Sequence, residues 1–175
     1  MKNLADYIRS LPDFPKPGII FRDIVPLIED PQGFRGAIDA LKEGVASWGP
    51  IDKIAAPEAR GFIFAAPLAY LLNAGVVLMR KPGKLPFETV SEEYSLEYGT
   101  NTIEMHSDSI KPGDRVLILD DLLATGGTVA ACRDLIERQG GTVIGAAFII
   151  ELVDLKGREK LNNLSIFAPV VFEGE

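Results

Sequence analysis

Short, uninterrupted apolar runs that alternate with helical stripes leave this chain few folds to choose from. Ile51 to Ala56, Gly75 to Met79, Arg115 to Leu119 and Thr142 to Ile150 are short, mainly apolar runs, so such strands are expected to offer neither face to water. Phe62 to Leu72 and Val129 to Gln139 lie between them with apolar residues at helical spacing. Strands buried on both faces belong to parallel sheets, because the crossovers that join parallel neighbours lay helices over the sheet. The alternation predicts an α/β fold: a single domain over 1–175 with an open, mostly parallel, twisted sheet flanked by helices. At 175 residues, 47% hydrophobic and 25% charged, the chain has the size and apolar content of one ordinary globular domain.

Two stretches break the rhythm. Leu4 to Leu11 is a short amphipathic segment with Leu4, Ile8 and Leu11 on one side, and Pro12, Pro15, Pro17 and Gly18 forbid its continuation as a helix. That leaves Asp13 to Arg22 as an irregular stretch that something else must order. Asp30-Pro31 then reads as an N-cap with a first-turn proline, followed by Phe34, Ile38, Leu41 and Val45 on one helical stripe. The second exception is 80–106, polar, turn-rich and too long for an ordinary connection. It is expected to be a functional lid or a solvated excursion.

Composition excludes several classes. With 18 Lys and Arg against 25 Asp and Glu, the net charge of −7 repels a phosphate backbone, so nucleic acid is not an expected partner. The single cysteine, Cys132, cannot form an intrachain disulfide, and the single histidine, His106, leaves no cluster with zinc-site spacing. No structural metal is expected, and neither residue is assigned a catalytic role. The opening Met1-Lys2-Asn3-Leu4-Ala5-Asp6 lacks the apolar core of a signal peptide, and no stretch approaches the roughly 18 apolar residues of a membrane span. A cytoplasmic protein in a reducing compartment is expected, with no membrane partner.

The densest chemistry is Val116 to Thr128: an apolar strand, the adjacent acids Asp120 and Asp121, a turn with Gly126-Gly127 between Thr125 and Thr128, and then a helix. Free backbone N–H groups, two hydroxyls and the positive end of a helix dipole would converge on one spot, which suits a phosphate monoester. Glycines that merely bend a strand-to-helix connection are the plainer account, and for Gly-Gly alone the better one. Two carboxylates at the carboxyl end of a sheet strand favour a ligand that also brings hydroxyl donors, a sugar phosphate held by its 5′ end. The stretch lacks both the Gly-Lys-Thr/Ser ending of a nucleoside-triphosphate loop and the Gly-x-Gly-x-x-Gly of a dinucleotide site.

Val116 to Thr128 resembles the phosphoribosyl-pyrophosphate motif of the type I phosphoribosyltransferase family. Asp13 to Asp23, Glu58 to Phe62, Arg80 to Pro86 and Tyr94 to Gly99 narrow the resemblance to the members that act on adenine, and it extends from about Leu11 to the Gly157-Arg158-Glu159 region. The resemblance implies the type I fold with a small N-terminal hood over 1–35 and a flexible lid over 80–106. It implies purine salvage, in which adenine and phosphoribosyl pyrophosphate give AMP and pyrophosphate with Mg2+ as the helper ion, carried out by a homodimer.

The same resemblance distributes the roles. Ala124, Thr125, Gly126, Gly127 and Thr128 would cradle the 5′-phosphate, and Asp120 and Asp121 would face the ribose and the positive charge that develops on it. Glu58, Ala59 and Arg60 would form the pyrophosphate loop, with Arg60 also catalytic. Arg80, Lys81 and Lys84, three cations within five residues of an acidic chain, would add to pyrophosphate binding, although a solvated basic turn also explains them. Backbone groups around Ile20 and Arg22 would read the edge of adenine while Phe21 stacks near its face; ordinary packing is the alternative for Phe21. Glu97, carried in the lid beside Tyr98, would act as general base for adenine or orient it, unless it simply solvates a loop that also holds Glu92, Glu93 and Glu104. Magnesium would arrive with the substrate, two acids being too few for a protein cage.

One departure from the family pattern is Ala56-Pro57 before Glu58, where a glycine and a small or hydroxylated residue are expected; proline lacks an N–H and fixes its own φ. Two competing functions are an enzyme of the same fold acting on another base and a purine-nucleotide-responsive regulator without turnover. The regulator would need a nucleic-acid-binding part, for which no segment and no suitable charge is visible.

Overall fold

The computed structural model describes residues 3–95 and 100–174. In chain order the strands and helices are β1 (Arg9–Pro12), β2 (Ile20–Asp23), α1 (Val25–Glu29), α2 (Pro31–Val45), β3 (Lys53–Pro57), α3 (Arg60–Leu72), β4 (Gly75–Met79), β5 (Thr89–Ser95) and β6 (Thr100–His106). They continue with β7 (Arg115–Leu119), β8 (Leu122–Leu123), α4 (Gly127–Arg138), β9 (Thr142–Ala147), β10 (Ile150–Leu152), α5 (Gly157–Lys160), β11 (Ser165–Phe167) and β12 (Val170–Phe172). Among the described residues the central sheet has the order β11-β9-β7-β3-β4, every neighbouring pair parallel.

The inner strands form this sheet because both of its faces are covered there. Contrary to expectation, the edge strand β4 leaves Val76 and Leu78 exposed on one face, because no further strand extends the sheet past it among the described residues. On β7, Leu117 and Leu119 point into a core shared with Ile38 and Leu41 of α2 and Phe64 and Leu68 of α3. Val116 and Ile118 point the other way, toward Val129, Cys132, Leu135 and Ile136 of α4. All four β7 side chains are fully buried, each stabilising by roughly 1.5–3 kcal/mol relative to exposure. The α2 start is as expected: Asp30 accepts from the N–H groups of Gln32 and Gly33, both at 2.9 Å, and Pro31 sits in the first turn.

Three expectations need correction. Leu4 to Leu11 is a single 3₁₀ turn, Leu4–Tyr7, capped by Asn3, after which the chain extends as β1. The reason is β2, which pairs antiparallel with β1 from Arg9↔Asp23 to Pro12↔Ile20, so Ile20 to Arg22 are regular backbone rather than irregular. Thr142 to Ile150 is not one strand. After Ala147 the chain leaves the central sheet, and Ile150–Leu152 pairs in parallel with β8 and β12 in a separate small sheet. The insertion 80–106 contains an antiparallel hairpin, β5 with β6, rather than a solvated excursion, and Ile103 and Met105 of β6 are buried in the α4-side core.

Candidate active site

The site gathers at the carboxyl ends of β3 and β7, where open parallel sheets place their ligands. Beyond β7, Asp120 N–H still reaches Ala147 O at 3.2 Å, and the chain then turns so that Asp121 N–H donates to Asp120 Oδ1 at 2.8 Å. Asp121 is 5% exposed. Its carbonyl accepts from both Ile149 and Ile150 N–H, fixing the acid pair to the point where the chain changes sheets. Its carboxylate Oδ2 accepts from Arg60 Nε at 2.5 Å. Burial raises the Asp120 carboxyl well above the usual carboxylate range, and the Asp121 charge raises it further.

Arg60 opens α3, which can begin this close to β7 only because Gly61 follows. A Cβ on Gly61 would lie 3.0 Å from Leu119 O and 3.1 Å from Asp120 Oδ1. One residue earlier the Glu58–Ala59 peptide is cis. Glu58 is held from the neighbouring strand end: its N–H donates to Met79 O at 2.8 Å and its Oε2 accepts from Arg80 Nε at 2.7 Å. Burial works to raise the Glu58 carboxyl, but the Arg80 hydrogen bond, the Lys81 N–H and the nearby Arg80 and Lys84 charges leave it below its ordinary value. Pro57 proves compatible with the sheet. Since Glu58 N–H points to β4, the missing Pro57 N–H falls on the β7 side, where pairing has already ended at Ala55↔Ile118.

The loop from Ala124 to Gly126 leads directly into α4. Its first intrahelical bond runs from Ala130 N–H to Gly126 O at 3.0 Å, leaving the Gly127 to Val129 N–H groups without helical partners. With Asp120, Leu122 and Leu123 the loop lines a small cavity of about 70 Å³. Gly126 is required by its φ of +76° and by a close neighbour, for a Cβ there would lie 2.7 Å from Gly157 O. Thr125 is exposed and Thr128 half-buried. The arrangement offers backbone donors, two hydroxyls and a helix N-terminus to a phosphate-sized anion.

The predicted residues are thus brought together in two groups. Asp120 and Ala124 to Thr128 line one cavity, to which Arg60 is tied through Asp121, and Glu58 and Arg80 form a pair at the adjoining strand ends. Lys81 and Lys84 are exposed, and the Lys84 carbonyl accepts from Arg80 Nη1 at 3.3 Å. Ile20, Phe21 and Arg22 belong to a different unit, the β1–β2 hairpin. There Phe21 packs edge-on to Phe14, with ring centroids 5.2 Å apart, and Arg22 lies over the Phe172 ring at 4.0 Å and donates to Ser10 Oγ at 2.6 Å. Glu97 and Tyr98 lie outside the described residues. Cys132 is a core residue whose thiol burial pushes up, and His106 is half-buried in a T-shaped contact with Phe87.

Sequence reasoning used Tyr94 only as part of the stretch that carries the resemblance and gave it no role. It lies on β5, and its hydroxyl is 3.4 Å from Thr128 Oγ1, bringing the hairpin to the phosphate loop. Arg138 of α4 fastens the same strand through Glu92 and through Ser91 O. The missed signal was spacing: Ser91, Glu92 and Tyr94 fall on a strand whose partner, β6, alternates buried and half-buried residues.

The strand-end acids, the loop that opens a helix and the neighbouring cations define a domain that handles a sugar phosphate, and the model of the phosphoribosyl transferase domain family matches residues 27–167. The adenine phosphoribosyltransferase of Kosmotoga olearia is 55% identical over 170 residues, covering 97% of this chain and 99% of the relative. The crystal structure of the Thermoanaerobacter pseudethanolicus adenine phosphoribosyltransferase superposes with a TM-score of 0.93 at 50% identity, over 97% of this chain and 98% of that one. The Saccharomyces cerevisiae enzyme, complexed with an iminoaltritol bisphosphate and adenine, gives 0.88 at 39% identity, over 95% and 96% of the two chains. The chain belongs to the adenine phosphoribosyltransferases.

Proposed function

We propose that the chain transfers the 5-phosphoribosyl group of phosphoribosyl pyrophosphate to adenine, forming AMP and releasing pyrophosphate, as a purine-salvage transferase. The observation that carries this reading is the Arg60–Asp121 ion pair, which joins the loop after β3 to the loop after β7. One ligand can thereby span a pyrophosphate-binding loop and a sugar-phosphate-binding loop.

In the reaction a bond forms between the adenine ring nitrogen and the anomeric carbon while the bond from that carbon to pyrophosphate breaks. Positive charge develops on the ribose, which Asp120 and Asp121 would face, their oxygens accepting hydrogen bonds from the sugar hydroxyls. Arg60 orients the Asp121 side chain. The Arg60 side chain is 54% exposed, so its remaining guanidinium donors are open to the departing pyrophosphate, with Arg80, Lys81 and Lys84 contributing positive charge. Ala124 to Thr128 hold the 5′-phosphate, Ile20, Phe21 and Arg22 receive the base, and Glu97 accepts the proton that adenine releases, with Tyr98 beside it. Exclusion of water by the hood and hairpin protects the activated sugar from hydrolysis.

Magnesium fits as a partner of the substrate. The available donors are carboxylate oxygens, suited to a hard cation, but one Asp120 oxygen accepts from Asp121 N–H and Asp121 is engaged by Arg60. Among the described residues no three His, Cys, Asp or Glu side chains group as a metal cage. Asp120 and Asp121 would hold the ion alongside substrate oxygens and water, and it would neutralise the leaving pyrophosphate.

A homodimer belongs to the same reading. Its support is the outer edge of the sheet, where Val76 and Leu78 of β4 are exposed, together with Ile63 and Tyr70 of α3. A cytoplasmic setting agrees with Cys132 being a free thiol.

The test is incubation with phosphoribosyl pyrophosphate, magnesium and each free base in turn. AMP from adenine alone is expected; product with hypoxanthine or orotate would move the assignment to another base, and binding without product would make the protein a regulator. Glu97→Gln is expected to lower kcat by roughly 10²-fold or more while binding of phosphoribosyl pyrophosphate stays near wild type. Unchanged turnover would remove Glu97 from the mechanism.

A further inference from the structure

Glu151 is 3% exposed and takes no part in the reaction described above. Arg158 grips both of its oxygens, Nε donating to Oε1 at 2.6 Å and Nη2 to Oε2 at 2.5 Å. Burying a carboxylate is costly even when it is paired, and apolar residues of similar volume often serve stability as well. The location of the pair supplies another reason for it. Glu151 on β10 is the register partner of Leu123 on β8, the residue immediately before the phosphate loop. Arg158 follows Gly157, which lies directly against that loop: a Cβ on Gly157 would be 2.3 Å from Ala124 O and 2.7 Å from Leu123 Cδ1. The contact is backbone to backbone, and Gly126 meets Gly157 O from the other side.

We propose that Glu151 and Arg158 are positioning residues for the phosphate loop. Their ion pair seats the turn at Gly157 against Ala124 to Gly126 and so sets the direction of the loop's free N–H groups. Affinity for a 5′-phosphate, rather than for the nucleoside, then depends on the pair. The proposal rests on the sugar-phosphate reading of Ala124 to Thr128.

The experiment compares AMP with adenosine, which differ only in the phosphate. Dissociation constants for both, thermal midpoints, and kcat with KM for phosphoribosyl pyrophosphate are measured in the full chain carrying Arg158→Ala, Arg158→Lys or Glu151→Gln. Arg158→Ala is expected to weaken AMP about tenfold with adenosine nearly unchanged. KM for phosphoribosyl pyrophosphate should rise by a larger factor than kcat falls, and Arg158→Lys should recover part of the loss. Equal weakening of AMP and adenosine, or no change in either, overturns the proposal. Should Arg158→Ala fail to fold, Arg158→Lys and Glu151→Gln, which keep a hydrogen bond but lose the two-point grip between opposite charges, make the same comparison. A wild-type protein with no preference for AMP over adenosine overturns the phosphate reading and the proposal with it, whereas a preference lost only in the variants supports both.

Discussion

Asp120 is an acid placed where ionisation is hard, and its substitution should separate stability from activity. In Asp120→Asn the amide oxygen can still accept from Asp121 N–H, while the burial penalty and the repulsion from Asp121 disappear. The variant is expected to melt higher than wild type and to lose at least tenfold in kcat/KM, read by calorimetry and steady-state kinetics. The pH dependence follows from the direction of the shift. A carboxyl raised in the folded state binds its proton more tightly there than in the unfolded chain, so its contribution to stability falls as pH rises from the ordinary value of 3.8 through the raised one. Asp120→Asn should flatten that part of the stability profile. Glu58 has the opposite sign: lowered by Arg80, it stabilises above its ordinary value of 4.5 and ceases to do so as pH falls through the lowered one. Arg80→Met should remove that acid-side dependence in denaturant melts across a pH series. At this scale the contiguous stretch Asp120 to Thr128 stood out in the sequence, and the structure does bring Asp120 and Ala124 to Thr128 onto one cavity. The Arg60–Asp121 pair joins residues 61 apart, and nothing in local spacing announces it.

The elements most legible in the sequence were those with a chemical boundary or two buried faces. The α2 start is written in Asp30-Pro31, and Asp30→Ala should cost about 1 kcal/mol, measurable as a lowered denaturation midpoint with function intact. β3 and β7 were legible because burial on both sides leaves continuous apolar runs, and β4 reads as the same kind of run although Val76 and Leu78 on one of its faces are exposed. The β1–β2 and β5–β6 ribbons were not, since an antiparallel ribbon draws its order from its partner and tolerates polar residues such as Ser91, Glu92 and Glu93. β8, β10 and β12 are two or three residues long, too short to carry any period. Tyr94→Phe tests whether the β5–β6 hairpin matters to the phosphate loop. A KM for phosphoribosyl pyrophosphate raised about two- to fivefold is expected from loss of one weak hydrogen bond, and an unaltered KM would mean that the hairpin only neighbours the loop.

In the molecule as a whole, β7 is the axis on which both cores depend. Leu117→Ala, at a fully buried position, should cost about 2–5 kcal/mol, read from chemical denaturation. The sheet ends at β4, and Leu78→Glu on its exposed face should shift the protein from dimer to monomer in analytical ultracentrifugation if that face joins two copies.

Among the described residues the β1–β2 hairpin shares no strand with the central sheet; its guanidinium-over-ring contact from Arg22 to Phe172 bridges to β12. On the proposed reading, the choice of nucleobase is therefore housed apart from the handling of sugar and leaving group. Grafting a different hairpin onto the same scaffold becomes an economical route to new substrate preferences, because the part that discriminates can be exchanged while the part that reacts stays in place.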